Sequence, residues 1–204
     1  MKKDEKEYIK KYGDIPITHD GRTSQLIGNI NFKRLRESVY SIIDRITSIK
    51  WKKHSFVIYL VPKGTPRPRC GQRGIFYVKG AKDNHERFKE FLSKYEDIDI
   101  IYTPCKFECR SYLPIPSSMN KVEQLIAEMG FIRPISKPDW DNLGKAYCDM
   151  IQETLLLDDA YVIEGISKKF YSIKPRIEID IEYMEDFDSD FNRKKVERKV
   201  KKYG

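Results

Sequence analysis

The stretch Lys137-Pro138-Asp139-Trp140-Asp141-Asn142-Leu143-Gly144-Lys145, followed twelve residues on by Leu157-Asp158-Asp159, carries two signals at once. The first is structural. Leu143, Ala146, Tyr147, Met150, Ile151 and Leu155 recur at three- and four-residue steps, which predicts a helix with one apolar face from about Trp140 to Leu155. Pro138 disfavours helical geometry at Lys137, so Asp139 should stand on extended backbone at the helix entrance. The second signal is chemical. Asp141, Lys145 and Asp149 follow at four-residue steps on the polar face, and an acidic pair waits beyond the far end. Clusters of carboxylates suit Mg2+ or Mn2+, which take oxygen ligands and water and leave room for phosphate oxygens.

Each acid also has a plain structural reading. Asp139 or Asp141 as an N-cap stabilises a helix by about 1 kcal/mol, which accounts for one of the two. An Asp141–Lys145 ion pair contributes about 0.3–0.5 kcal/mol, and aspartates such as Asp158 and Asp159 are common in turns. A helix over 140–155 is about 24 Å long. The acids at its two ends meet only if the chain folds back, which spacing alone does not decide.

Outward from this segment the pattern alternates between helices and strands. Residues 1–28 lack a period. Leu35, Val39, Ile42, Ile43, Ile46 and Ile49 mark an amphipathic helix from Asn31, so residues 1–52 read as a helical N-terminal extension. Phe56 to Val61 is a strand-like run stopped by Pro62. The segment Pro62-Lys63-Gly64-Thr65-Pro66-Arg67-Pro68-Arg69 is turn-rich and basic, and Ile75 to Val78 fits a returning strand. A helix is expected over 84–95 and one long strand or two over 98–113. Ser117-Ser118 would cap a helix carrying Val122, Leu125, Ile126 and Met129 and closed by Gly130. Strands follow at 161–171 and 176–183, the last alternating Ile177, Ile179, Ile181 and Tyr183 with Glu178, Asp180 and Glu182. The expected fold class is α+β, a mixed, largely antiparallel sheet packed with helices, over residues 53–185.

The 204 residues suffice for one core, and 40% apolar with 12% aromatic content is globular composition. No run of eighteen apolar residues appears and Met1 to Lys6 begins no signal sequence, so a cytoplasmic protein without membrane association is expected. Four cysteines fit reduced thiols, and a zinc site is disfavoured because His19, His54 and His85 are scattered. The net charge of +8 is uneven: +6 falls on residues 193–204, +5 on 1–52 and −3 on the centre. Basic ends around an acidic centre suit a metal-dependent site offered to a polyanion, although a Lys-rich tail over 186–204 also serves solubility alone.

The spacing Asp139-x-Asp141-Asn142-x-x-Lys145 followed by Leu157-Asp158-Asp159-Ala160 resembles the motif of the RusA family of Holliday junction resolvases. Val61-Pro62-Lys63-Gly64-Thr65-Pro66-Arg67 is similar to the family's basic loop, and Leu113-Pro114-Ile115-Pro116 to its strand-ending proline segment. The resemblance spans about residues 55–184. It implies Mg2+-dependent cleavage of four-way DNA junctions by a homodimer, in recombination and repair. It also implies metal binding by Asp139, Asp141 and Asp159, an essential Lys145, and a neighbouring acid at Asp158. Two departures stand out: Thr65 where an arginine is common, and Trp140 where a small aliphatic residue is usual.

DNA contact is expected through phosphates and shape, since no recognition-helix or zinc-finger pattern occurs. Lys63, Arg67, Arg69 and Arg73 form one basic loop, and Lys168, Lys169 and Lys174 a second candidate patch on a strand. The competing readings are a non-catalytic branched-DNA-binding module, a broader branched or flap DNA nuclease, and a PD-(D/E)xK nuclease. The last lacks its acid-x-Lys triplet on the strand after Asp159.

Overall fold

The computed structural model describes residues 7, 10, 11, 32–65, 69–71, 74–76, 81–95, 98–152 and 154–186. The chain divides into two compact units, 1–49 and 50–204. In the first, helix α1 spans Phe32–Thr47 and places Asp44 3.5 Å from the Lys11 ammonium.

The second unit carries β1 (Trp51–Ile58), β2 (Arg69–Gly71), β3 (Gly74–Phe76), α2 (Ala81–Leu92), β4 (Cys105–Pro114), α3 (Lys121–Glu128), α4 (Trp140–Ile151), β5 (Val162–Ser172) and β6 (Arg176–Met184). Four strands form one sheet in the order β1-β6-β4-β5. β6 is antiparallel to both of its neighbours, and β4 and β5 run parallel, joined by a crossover that holds α3 and α4. The sheet is mixed and largely antiparallel, and the fold is α+β. β2 and β3 make a separate small hairpin.

Alternation along the strands sorts the two sheet faces. Phe56, Ile58, Phe107, Cys109, Ile177, Ile179 and Ile181 point to one face. There they are buried with Phe88 and Leu92 of α2 and Leu143, Tyr147 and Ile151 of α4. Burial pushes the Cys105 and Cys109 thiols up to about 12, so both are neutral parts of this core. The other face carries the acids of β6, and these are not simply solvated. Arg110 bonds Glu178 at 3.0 Å, Asp180 at 2.9 Å and Glu108 at 2.9 Å, and Lys53 reaches Asp180 at 3.0 Å.

Several boundaries differ from the sequence expectation. β1 begins at Trp51, not Phe56, because Trp51 and the polar residues Lys52 to Ser55 pair with β6; it stops at Ile58, where the Leu60 N–H turns back to the Ile58 carbonyl. Between 98 and 104 only an isolated bridge forms, from Ile101 to Leu156. α3 is capped by Asn120, not Ser117 or Ser118: its side chain accepts from the Glu123 N–H at 2.9 Å while Glu123 accepts from the Asn120 N–H at 2.8 Å. Gly130 does close this helix region, with φ +84°. The apolar stripe of α3 lies outside the core. Val122, Leu125 and Met129 are exposed, and it is Ala127 that packs against Leu113 and Tyr171. α4 ends at Ile151, so the three leucines 155–157 belong to the return of the chain. Among the described residues no helix is long and apolar enough to cross a membrane.

Candidate active site

The return after α4 answers the question that spacing left open. The N–H groups of Leu155 and Leu156 both bond to the Ile151 carbonyl, turning the chain at once. Leu155, Leu156 and Leu157 are buried, and the Ile101 bridge fixes them through Leu155 O and Leu157 N. Burying three leucines beneath the helix end aims the following acids back along α4. β5 then runs beside the helix as far as Ser167, whose hydroxyl donates to the Trp140 carbonyl at 2.7 Å. Helix and strand approach closely because Gly144 has no side chain; a Cβ there would come within 3.0 Å of Ser167 Cβ.

Between α4 and β5 lies a cleft of about 310 Å³. Asp141, Lys145, Asp149 and Asp159 all line it, with Trp140 and Cys148. The Lys145 ammonium lies 3.6 Å from the Asp149 carboxylate. Burial, and then the Asp159 and Asp149 carboxylates, push the Cys148 thiol up to about 11.

The two acids of the Asp158-Asp159 pair do different things. Asp158 caps the 3-10 turn Asp159–Tyr161, accepting the Ala160 N–H at 2.9 Å. Asp159 is left to the cleft. Asp139 occupies the N-cap of α4 on extended backbone (φ −68°, ψ 148°), as Pro138 implies, but its side chain makes no capping hydrogen bond. Asp139 does not line the cleft, and among the described residues no three His, Cys, Asp or Glu side chains are gathered as a metal group. The donors that do reach the cleft are mainly carboxylate oxygens open to solvent, a set whose chemistry fits a hard divalent cation.

The basic loop is tied to the same helix. The Tyr147 hydroxyl accepts the Lys63 N–H at 2.9 Å and donates to the Lys63 carbonyl at 3.2 Å. The Asn142 amide donates to the Thr65 carbonyl at 3.2 Å, over Gly64, where a Cβ would collide with that amide. Arg67, Arg73 and the tail 193–204 lie outside the described residues, and Arg69 begins β2. Lys168 and Lys169 do not make one patch. Adjacent strand residues face opposite ways: the Lys168 ammonium bonds Glu108 at 2.8 Å, whereas that of Lys169 bonds the carbonyls of Ser136 and Pro138 at 2.7 and 2.9 Å. Lys169 thereby fixes the loop that delivers Asp139. From the sequence Asn142 was read only as a motif position and Tyr147 only as part of the apolar stripe, and Ser167 was not singled out; the nearby Gly64 and Gly144, signs of close backbone approach, were the available signal.

Residues 60–182 match the family described as "Endodeoxyribonuclease RusA". The chain belongs to the RusA family. It is also 33% identical over 134 residues to "Uncharacterized protein YqaN" of Bacillus subtilis (strain 168), covering 62% of this chain and 93% of that protein. The RusA match includes the basic loop, α4, the acidic return and nearly all of β6. It leaves out α1 and the tail. The family is one of DNA-cleaving hydrolases, and the cleft that holds Asp141, Lys145 and Asp159 lies within the matched residues.

Proposed function

We propose that this RusA-family protein is a divalent-metal-dependent endonuclease that resolves four-way DNA junctions by cutting two opposed strands, as a homodimer, in recombination and repair. One observation carries the reading: Asp141, Lys145 and Asp159, separated by up to eighteen residues, line one cleft. Asp141 and Asp159, which line the cleft, are the carboxylates that would hold Mg2+ or Mn2+, with Asp139 joining them from the helix entrance. A bound divalent cation supplies Lewis-acid stabilisation of the phosphoryl group.

The chain's own residues do the remainder. Lys145 sets a positive charge among carboxylates, where it offsets charge developing on the phosphate or the leaving oxygen. Asp149 orients that ammonium from one turn along the helix. Lys63, held near α4 by Tyr147, and with it Arg67, Arg69 and Arg73 of the sequence, are the proposed contacts to backbone phosphates. Two copies related by a twofold match the symmetry of a four-way junction and would place two clefts on opposed strands.

The test is a synthetic four-way junction incubated with wild-type and Asp141→Asn protein, with Mg2+ and with chelator. Symmetric nicks that require both Mg2+ and Asp141, with junction binding retained in the variant, are expected. Cutting by Asp141→Asn overturns the assignment, and binding without any cutting in Mg2+ favours a non-catalytic branched-DNA module.

A further inference from the structure

Trp140 stands between the two motif aspartates with its side chain 64% exposed. A large aromatic residue is costly to leave in water, and among the described residues no ring or cation stacks on this one. Its backbone, in contrast, is fixed, since the carbonyl accepts the Ser167 hydroxyl at 2.7 Å. The indole is therefore presented from a held position at the mouth of the cleft that also contains Asp141 and Lys145.

The opposite wall is equally suggestive. Gly165, Val162 and Ile166 line the cleft from β5, and a Cβ built on Gly165 meets nothing within 4 Å. The β5 side of the cleft is therefore open at Gly165. With the scissile phosphate held at Asp141 and Lys145, the group of the nucleic acid that comes within reach of the adjoining Trp140 indole is the planar, uncharged base next to that phosphate. In continuous duplex both faces of each base are already stacked. A base with a free face occurs where stacking is interrupted, as at a branch point or in an unpaired nucleotide.

We infer that Trp140 is a stacking platform for an unstacked base beside the cleaved phosphate, and so a determinant of selectivity for branched over continuous DNA. This rests on the reading of the cleft as the nuclease site. Base–aromatic stacking of this kind changes affinity by about 5- to 150-fold on loss of the ring.

The full-length chain has two tryptophans, so Trp51→Phe leaves Trp140 as the only indole. Its emission is recorded while a four-way junction, and separately a duplex of the same sequence, is titrated in Ca2+ or chelator to prevent cutting. Quenching by the junction, at the concentration where binding occurs, and little quenching by duplex are expected. Trp140→Leu should weaken junction binding by about ten-fold with duplex binding unchanged, and Trp140→Phe should restore most of it. Gly165→Val, which adds bulk on the β5 side of the cleft and leaves the indole in place, should produce the same selective loss. Unquenched emission at saturation, or equal losses on junction and duplex, overturns the proposal. Asp141→Asn separates the two readings: cutting by that variant defeats the site itself, whereas a dead Asp141→Asn beside a fully selective Trp140→Leu defeats the stacking role alone.

Discussion

The hydroxyl of Tyr147 grips both backbone polar atoms of Lys63, accepting its N–H at 2.9 Å and donating to its carbonyl at 3.2 Å. Tyr147 is buried on α4 among the core residues, and burial pushes its hydroxyl pKa well above the ordinary tyrosine value, so the donor proton is kept. One side chain thus couples the core, the cleft helix and the basic loop. Replacing it with phenylalanine leaves the packing and strands the Lys63 backbone groups, at a cost of about 1–3 kcal/mol. Urea denaturation should report that loss. Faster tryptic cleavage at Lys63 should accompany it, because the loop is released from the helix.

Gly64 and Asn142 should behave as a coupled pair. Gly64→Ala drives a methyl group into the Asn142 amide and displaces the loop. Asn142→Ala removes that obstruction together with the bond to Thr65. The double variant is expected to be more stable than the sum of the single losses implies, with a coupling of about 0.5–3 kcal/mol in a double-mutant cycle. Additive losses would show that the loop is not seated on Asn142.

Lys145 and Asp149 are both well exposed, and their 3.6 Å pair contributes little to stability. Asp149→Asn is expected to leave the denaturation midpoint nearly unchanged, within about 0.5 kcal/mol, and to lower the single-turnover cleavage rate by roughly ten-fold through loss of ammonium orientation. Lys145→Ala should lower the rate by about a hundred-fold or more, again without unfolding. An unchanged rate in both variants would remove the lysine from the chemistry.

Asp180 provides the acid-side signature of the fold. Burial alone would raise its pKa, but hydrogen bonds from Ser55, Arg110 and Lys53 overcome this and hold it at about 2. A depressed carboxylate stabilises the native state above its unfolded pKa of about 3.9 and loses that contribution as pH falls through the native value. Stability should therefore decline between about pH 4 and pH 2, and Asp180→Asn should flatten that part of a pH–stability profile. The variant should also be less stable at neutral pH, because Arg110 then loses one of three carboxylate partners.

Much of this was legible in the residues because local period carries local structure. The alternation of Ile177, Ile179 and Ile181 with Glu178, Asp180 and Glu182 gave the buried and polar faces of β6, and the Leu143–Ile151 stripe gave the buried face of α4. Failures came where a partner elsewhere supplied the reason. Lys52 to Ser55 are polar and become a strand only because β6 pairs with them. Val122, Leu125 and Met129 have the right helical spacing for a core and yet face outward, because a short helix at the β5 edge needs only Ala127 beneath it. Lys168 and Lys169 looked like one basic patch until strand alternation sent them to opposite faces.

By itself, the sequence determined which side chains could do the chemistry: Asp139, Asp141 and Lys145 at a helix entrance and Asp158-Asp159 beyond its end. Tertiary structure decided which of them share a space. It sent Asp159 back to the cleft, turned Asp158 into a cap for a single turn, and left Asp139 at the helix entrance outside the cleft wall. The physical reason lies in Leu155, Leu156 and Leu157. All three are buried, Leu155 and Leu156 in the core shared with α4, and the reversal of the chain there is dictated by a core drawn from other strands and helices, which no local pattern contains.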